Sequence, residues 1–225
     1  MKNKPNYVAI IVFYILAIAL RYISNKTALL STVPNEIIRI VLQGAGPAIG
    51  AGIAMLIFKI KPVLSLKGNY NTLIVPILLY WFSPIALITV VQYLSNGSIA
   101  VISVFSILLY GLLEEVGWRG FLRQQLKPLP AWINIFIVAT LWFVWHLNFE
   151  LTSANLFFFG ILLLGSWGIG KVADSTQSLL AVAAFHSLNN FFMQLNGTKI
   201  AILLALLLLW VLHLINKKKQ KAKIV

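Results

Sequence analysis

Residues 201–212 read AILLALLLLWVL, a run of twelve consecutive apolar or aromatic side chains. A transmembrane α-helix needs about 20 mostly apolar residues to cross roughly 30 Å of hydrocarbon. Similar runs recur along the 225 residues, of which 60% are hydrophobic and 10% are charged, whereas a soluble domain carries about 25% charged residues. The sequence therefore predicts an all-α, multi-pass transmembrane bundle that forms a single domain over 1–225.

Eight spans are expected, because turn-forming or charged segments such as 31–35, 59–71 and 174–175 interrupt the apolar runs. Backbone groups in lipid must hydrogen-bond within their own segment, so the spans should be helices rather than strands. The core that carries the polar motifs lies at about 99–194. The expected spans are 6–23, 36–58, 72–94, 99–122, 131–149, 154–172, 176–194 and 198–215.

The basic residues lie in short loops and in a C-terminal tail rather than on a folded polar surface. With a cytoplasmic N-terminus, 14 of the 18 Lys and Arg residues fall inside, and four fall outside: Arg21, Lys26, Arg39 and Lys199. The positive-inside rule then predicts that both termini are cytoplasmic. The net charge of +13 indicates contact with anionic lipid headgroups, and we expect no nucleic-acid partner. The chain has no cysteine, which excludes disulfide and thiolate chemistry.

The second span contains the small-residue sequence GAGPAIGAG at residues 44–52. Its small residues recur every four positions in two series, Gly44, Ala48 and Gly52, and Gly46 and Gly50. Small residues on one helix face let two backbones approach closely in lipid, so we favour helix packing. The alternative is a helix broken at Pro47 that lines a transport path.

Two adjacent acids, Glu114 and Glu115, lie in the fourth span. An acidic or basic side chain at mid-helix costs about 2.5–3.5 kcal/mol on insertion scales, so lipid alone would not tolerate the pair. Glu115 and Arg119 stand at i and i+4 and can form an ion pair. Glu114 lies about 100° around the helix, with Trp118 as its i+4 neighbour. Both acids could instead be structural and tie helices together.

Two further spans carry histidine. His146 lies in the fifth span, and His186 and Asn190 share a face of the seventh at i and i+4. A single histidine in a membrane helix usually links helices through hydrogen bonds. Two histidines, an amide and an acid on three helices are instead the groups that activate water and stabilise an oxyanion.

In chain order the motifs are Glu114-Glu115-x-x-x-Arg119, an aromatic-x-x-x-His146 and His186-x-x-x-Asn190. They resemble the CPBP family, which comprises type II CAAX prenyl endopeptidases and bacterial abortive-infection or bacteriocin-processing membrane proteins. The flank WRGFL at residues 118–122 extends the resemblance. The second motif of the family usually has Phe four residues before the histidine, where this chain has Trp142 beside Phe143.

The resemblance implies a role for each motif residue. Glu114 with His146 would activate the attacking water, and His186 with Asn190 would stabilise the oxyanion. Glu115 and Arg119 would support this geometry. A carboxylate accepts a proton, and imidazole and amide N–H groups suit a negative oxygen.

Two mechanisms remain open for this set of residues. Glu114, His146 and His186 could complete a zinc site with three protein ligands. No His-Glu-x-x-His motif is present, so we favour a mechanism without a metal or other cofactor.

The resemblance implies an intramembrane endopeptidase that acts on a peptide or membrane-protein substrate. The Lys-, Ile- and Asn-rich composition makes a bacterial precursor peptide the first candidate. The main alternative is a non-enzymatic membrane partner, such as a bacteriocin immunity protein or a scaffold that regulates a sensor. A transporter is less favoured, because no pair of corresponding interrupted helices is found in two halves of the chain.

The charge asymmetry predicts the topology. Reporter fusions at both termini and in the loop between residues 59 and 67 should give cytoplasmic signals, because inside loops retain the lysines. A C-terminal fusion that reports from the outside would mean an odd number of spans and would contradict the predicted orientation.

Overall fold

The computed structural model describes residues 4–97, 101–191 and 196–222. Within these ranges the chain forms eight α-helical segments, a short 3₁₀ helix at Ala28–Thr32 and no named β-strand, which confirms the predicted all-α fold. The first two segments are α1 (Tyr7–Lys26) and α2 (Glu36–Ile57). The third consists of α3 (Tyr70–Ile77) and α4 (Ser83–Asn96), which are joined by the π turn π1 (Leu78–Phe82). The fourth consists of α5 (Val101–Glu115), the π turn π2 (Val116–Leu122) and the short α6 (Arg123–Gln125). The last four are α7 (Ala131–Trp145), α8 (Ser153–Thr176), α9 (Leu179–Phe191) and α10 (Gly197–Ala222).

Four helical stretches in the described ranges are long and apolar enough to cross a membrane by length and composition: Tyr7–Lys26, Glu36–Ile57, Tyr70–Ser95 and Ser153–Thr176. Three shorter apolar stretches accompany them: Ala131–Trp145, Leu179–Leu188 and Gly197–Leu209. Large apolar side chains such as Leu56, Leu94 and Leu156 are exposed on the outside of the bundle, where lipid would cover them. The structure is therefore a helical membrane bundle.

Polar residues in the predicted breaks start several of these helices. Asn6 accepts a hydrogen bond from the backbone N–H of Ala9, and Asn35 accepts bonds from two N–H groups at the start of α2. Thr152 does the same for Asn155 at the start of α8. Such caps pair N–H groups that the helix itself leaves free, which is why the helices begin at these residues.

The ends of several predicted spans were wrong, including the last, which was expected to end at 215 although α10 runs to Ala222. The fifth span was expected to run to 149, but α7 ends at Trp145 and His146 is its C-cap, followed by Leu147 with φ of +55°. The expected break at 174–175 is also wrong, because α8 continues through Asp174 to Thr176. The predicted start of the fourth span at 99 and the predicted end of the seventh at 194 lie outside the described residues.

Gly44, Gly46 and Gly50 of α2 pack against neighbouring helices, as favoured from their spacing, whereas a Cβ added to Gly52 would meet nothing within 4 Å. A Cβ atom on Gly46 would lie 2.9 Å from the carbonyl oxygen of Ala17, and one on Gly50 would lie 2.6 Å from that of Phe13. The helix continues without a break through Pro47. Gly117 in π2 lies against Pro47, where an added Cβ would approach the proline ring to 2.5 Å. The close packing therefore brings α1 and π2 onto α2.

An aromatic cluster fills the core between α1, π2 and α7. The indole of Trp118 packs edge-on against Phe13 and against Trp145, with ring centroids 5.7 Å and 5.8 Å apart. All three side chains are fully buried. Trp145 also donates a hydrogen bond from its indole N–H to the carbonyl of Ala17, 3.1 Å away. This cluster fixes α7 against α1 and so sets the position of His146.

The loop after α2 is bound to the turn between α8 and α9. Ser65 and Ser178 form an isolated parallel bridge. The N–H of Asn69 donates to the carbonyl of Thr176 at 2.7 Å, and the N–H of Leu179 donates to the carbonyl of Ser65 at 2.9 Å. These bonds hold the first turn of α9, the helix that carries His186.

Candidate active site

The two acids of the first motif lie where α5 passes into π2. Glu114 is 1% exposed, and Glu115 and Arg119 are fully buried. In π2 the backbone hydrogen bonds skip one residue more than in an α-helix, as in the bond from the N–H of Arg123 to the carbonyl of Trp118. Single π turns are frequent at functional sites, because they change which side chains project together.

Glu115 has two partners on one carboxylate oxygen. Its Oε1 lies 2.7 Å from Arg119 Nη1, which confirms the ion pair predicted from the i, i+4 spacing. The same oxygen lies 2.6 Å from His186 Nδ1 on α9. Glu115 therefore joins the first and third motifs directly, through a contact that helical spacing alone could not predict.

This ion pair satisfies only part of the hydrogen-bonding capacity of Arg119. Its guanidinium lies over the ring of Trp142, 4.5 Å from the centroid, which is the geometry of a cation–π contact. Within the described residues, Arg119 Nε and Nη2 and Glu115 Oε2 have no hydrogen-bond partner. Buried ion pairs are costly when polar atoms are left unpaired, so this pair is sensitive to loss of either member.

Glu114 has a different environment from its neighbour. Its Oε2 accepts a hydrogen bond of 2.9 Å from the indole N–H of Trp142 and one of 3.3 Å from that of Trp118. Tyr110, one turn earlier on α5, also lies close enough to interact with the carboxylate. Neutral donors therefore hold Glu114, whereas a cation holds Glu115. The tryptophan at position 142, where the family usually has Phe, supplies a donor that a phenyl ring lacks.

His146 is fixed through one ring nitrogen. Its Nδ1 lies 2.8 Å from the carbonyl oxygen of Trp142, and a carbonyl can only accept, so Nδ1 carries the proton. In the neutral ring, Nε2 then keeps a free lone pair. Phe158 and Trp145 pack edge-on against the ring. His146 acts electrostatically on Glu114, and among the described contacts it makes no direct hydrogen bond with it.

The third motif is brought to the same place by α9. The ring of His186 packs edge-on against Trp142, with centroids 5.1 Å apart. Asn190 lies one turn further along α9 and is partly buried. In the part of the chain that the structure describes, no hydrogen bond of its side chain is present. The structure therefore brings Glu114, His146 and His186 around Trp142, and it leaves Asn190 unbonded one turn away.

Two neighbours of Glu114 were missed by sequence reasoning. Arg21, counted only as an outside charge, donates from Nη1 to the carbonyl of Gln43 at 3.1 Å and lies 3.5 Å from the hydroxyl of Tyr110. Its guanidinium also lies over the ring of Trp145, 4.2 Å from the centroid. Tyr110 stands four residues before Glu114, so i, i+4 spacing could have identified it; nothing in the sequence pairs Arg21 with α5.

The residues present do not fit a zinc ion in this conformation. Among the described residues, no three His, Cys, Asp or Glu side chains converge closely enough to hold a metal. We therefore derive no step through a metal, and the metal-free mechanism stays a prediction.

The thermal stability of the protein should respond differently when each of the two acids is replaced by glutamine. Glu115→Gln leaves Arg119 buried without a carboxylate, which costs about 3–5 kcal/mol, so the thermal unfolding midpoint in detergent should fall clearly. Adding Arg119→Met should recover part of the loss. Glu114→Gln, the matched control one residue away, should unfold near the wild-type temperature. Equal midpoints for the two single variants would contradict the assignment of the ion pair to Glu115.

The comparisons with known proteins agree with these motifs. Residues 95–192 match the family model described as "Type II CAAX prenyl endopeptidase Rce1-like". The match covers all three motifs, from Glu114 to Asn190. No curated protein matches the chain. The family match confirms the resemblance to CPBP proteins and supports an intramembrane endopeptidase at the level of the family.

Proposed function

We propose that this protein is an intramembrane endopeptidase in which Glu114 activates the water that attacks a peptide bond. The proposal rests on the different hydrogen-bond partners of two adjacent buried acids. Glu115 is bound to Arg119 and His186, whereas Oε2 of Glu114 accepts hydrogen bonds from two neutral indole N–H groups. A carboxylate held without a bonded cation remains able to accept a proton.

His146 would hold the attacking water together with Glu114. Its Nδ1 proton is used by the carbonyl of Trp142, so its Nε2 lone pair can accept a hydrogen bond from water. Fixing a histidine through Nδ1 sets both the tautomer and the orientation of the ring. Water placed between Glu114 and Nε2 would have its oxygen directed at a carbonyl carbon.

His186 would stabilise the negative oxygen that forms on the attacked carbonyl. Its Nδ1 is bound to Glu115 Oε1 at 2.6 Å, which fixes the ring and leaves Nε2 on the side away from Glu115. The amide of Asn190, which has no other hydrogen bond in the described residues, would supply the second donor. Donors of this kind stabilise charge strongly where water is excluded.

The proposed hydrolysis needs no reactant other than water and the peptide substrate. Glu114 accepts a proton from water as the water oxygen bonds to the carbonyl carbon, which gives a tetrahedral intermediate. The C–N bond then breaks, and the leaving nitrogen takes the proton from Glu114. Glu115 and Arg119 are positioning residues, because they act through His186 and Trp142.

The proposed substrate is a hydrophobic peptide segment from a precursor peptide or membrane protein. The site is buried among apolar helices, so a substrate must bring apolar surface into the bundle. Prenylated C-termini are the substrates named for the matched family, and a bacterial precursor is the first candidate from the composition of the chain.

Replacing the proposed base should abolish cleavage without unfolding the protein. The purified protein would be placed in lipid nanodiscs with a mixture of hydrophobic peptides, half of them ending in a farnesylated CAAX sequence, and products measured by mass spectrometry. Glu114→Gln and His146→Ala should each lower the cleavage rate by at least about 100-fold, because general acid–base groups contribute 10²–10⁴-fold.

The matched control for this experiment is Glu150→Gln, which removes one carboxylate from an exposed position outside α7. It should cleave at the wild-type rate. Wild-type rates in both Glu114→Gln and His146→Ala would reject the protease proposal. The non-enzymatic alternative, an immunity protein or a scaffold that regulates a sensor, would then take its place.

Removing metal tests the mechanism separately. The enzyme should keep its cleavage rate after exhaustive chelation, and elemental analysis should find no stoichiometric zinc, because the donors do not converge on a metal site. Loss of activity that zinc alone restores would instead make Glu114, His146 and His186 the ligands.

A further inference from the structure

A pocket of about 270 Å³ opens at one end of the bundle, away from the candidate active site. It lies between the end of the segment after π2, the first turns of α7 and the C-terminal part of α8. None of the motif residues Glu114, Glu115, Arg119, His146 or His186 lines it. The pocket therefore needs an explanation of its own.

The lining of this pocket is positively charged. Arg123, Lys127 and Lys171 face a single carboxylate, Asp174, which leaves a formal excess of two positive charges. Arg123 and Asp174 neutralise each other through a two-pronged pair with N–O distances of 2.8 and 2.7 Å. Lys127 Nζ lies 3.9 Å from Asp174 and is 44% exposed, so it remains available to a ligand. The excess charge predicts an anionic ligand.

The polar atoms at the pocket that have no hydrogen-bond partner include both donors and an acceptor. Asn134 is 6% exposed, and its Nδ2 donates to the carbonyl of Arg123 at 3.0 Å. Its Oδ1 and the Nε of Arg123 have no partner within the described residues. Buried polar atoms are nearly always hydrogen-bonded, so these two atoms point to an absent partner. α7 also begins at Ala131, after Pro130, without a side-chain cap, which leaves first-turn N–H groups free.

The remaining lining is apolar and includes an exposed tryptophan. Leu129, Ile135 and Trp167 complete the pocket. Trp167 and the nearby Trp132 at the start of α7 are both exposed by more than half. Exposed tryptophans collect at the membrane–water interface, where the indole can contact both acyl chains and headgroups. A ligand with a polar anionic head and an apolar body would suit all parts of the lining.

We propose that this pocket binds the headgroup of an anionic glycerophospholipid. The phosphate lies near Lys127, Lys171 and the free N–H groups of α7, because cations and a helix N-terminus both stabilise an anion. A headgroup hydroxyl, such as those of phosphatidylglycerol, donates to Asn134 Oδ1. The acyl chains follow Leu129 and Ile135 toward the hydrocarbon. The proposal does not depend on proteolysis at Glu114.

Lipid binding to the full-length protein in detergent tests this site. The affinity for dioctanoyl phosphatidylglycerol would be measured by native mass spectrometry and compared with that for dioctanoyl phosphatidylcholine. The anionic lipid should bind at least about tenfold more tightly. The double variant Lys127→Gln/Lys171→Gln should weaken its binding roughly 25-fold, a factor of about five for each lysine near an anionic headgroup.

Two variants serve as controls for this test. Lys61→Gln/Lys67→Gln removes the same charge from exposed positions in the loop after α2 and should bind like wild type. Lys127→Arg/Lys171→Arg keeps the charge and should retain binding. Equal affinity for the two lipids, or an equal loss in both glutamine variants, would overturn the proposal. Glycerol 3-phosphate binding as tightly as the lipid would also overturn it, since the ligand would then be a soluble phosphate.

Discussion

A single carboxylate oxygen, Oε1 of Glu115, holds the site together. It lies 2.7 Å from Arg119 and 2.6 Å from His186, with all three side chains buried. In an apolar interior none of these charged or polar groups would be tolerated alone, because each would lose its hydration without compensation. The pairing therefore fixes α9 against α5 and π2. It also pairs Arg119 with Glu115, while Oε2 of Glu114 accepts hydrogen bonds from the neutral indole N–H groups of Trp118 and Trp142.

Trp142 is the second shared element of the site. Its indole N–H binds Glu114, its ring lies under Arg119 and against His186, and its carbonyl holds His146. Sequence comparison marked this residue only as a departure from the phenylalanine of the family. The structure gives the departure a physical role, because an indole can pack like a phenyl ring and also donate a hydrogen bond.

The sequence predicted those features that depend on local spacing. Apolar runs and polar breaks predicted the eight helical segments, and i, i+4 spacing predicted the pair of Glu115 and Arg119. The contact of Glu115 with His186 joins residues 71 positions apart, so it depends on how α5 and α9 pack. The position of Arg21 near the site depends on tertiary packing for the same reason. The sequence did not predict the helix ends correctly. The apolar residues after Trp145 suggested a longer helix, but α7 ends there with His146 as its C-cap.

The π turn at Val116–Leu122 has a consequence for how this region can vary in evolution. A π turn takes up one extra residue in a single wider turn, so the helix on either side of it keeps its alignment. Deleting Val116 or Gly117 would therefore leave the following helix in place but change the spacing of Glu114 from Trp118, and of Glu115 from Arg119, from four residues to three. The hydrogen bond and the ion pair would both have to form again at the new spacing, so the region should tolerate a change of side chain on the lipid-facing side better than a change of length by one residue.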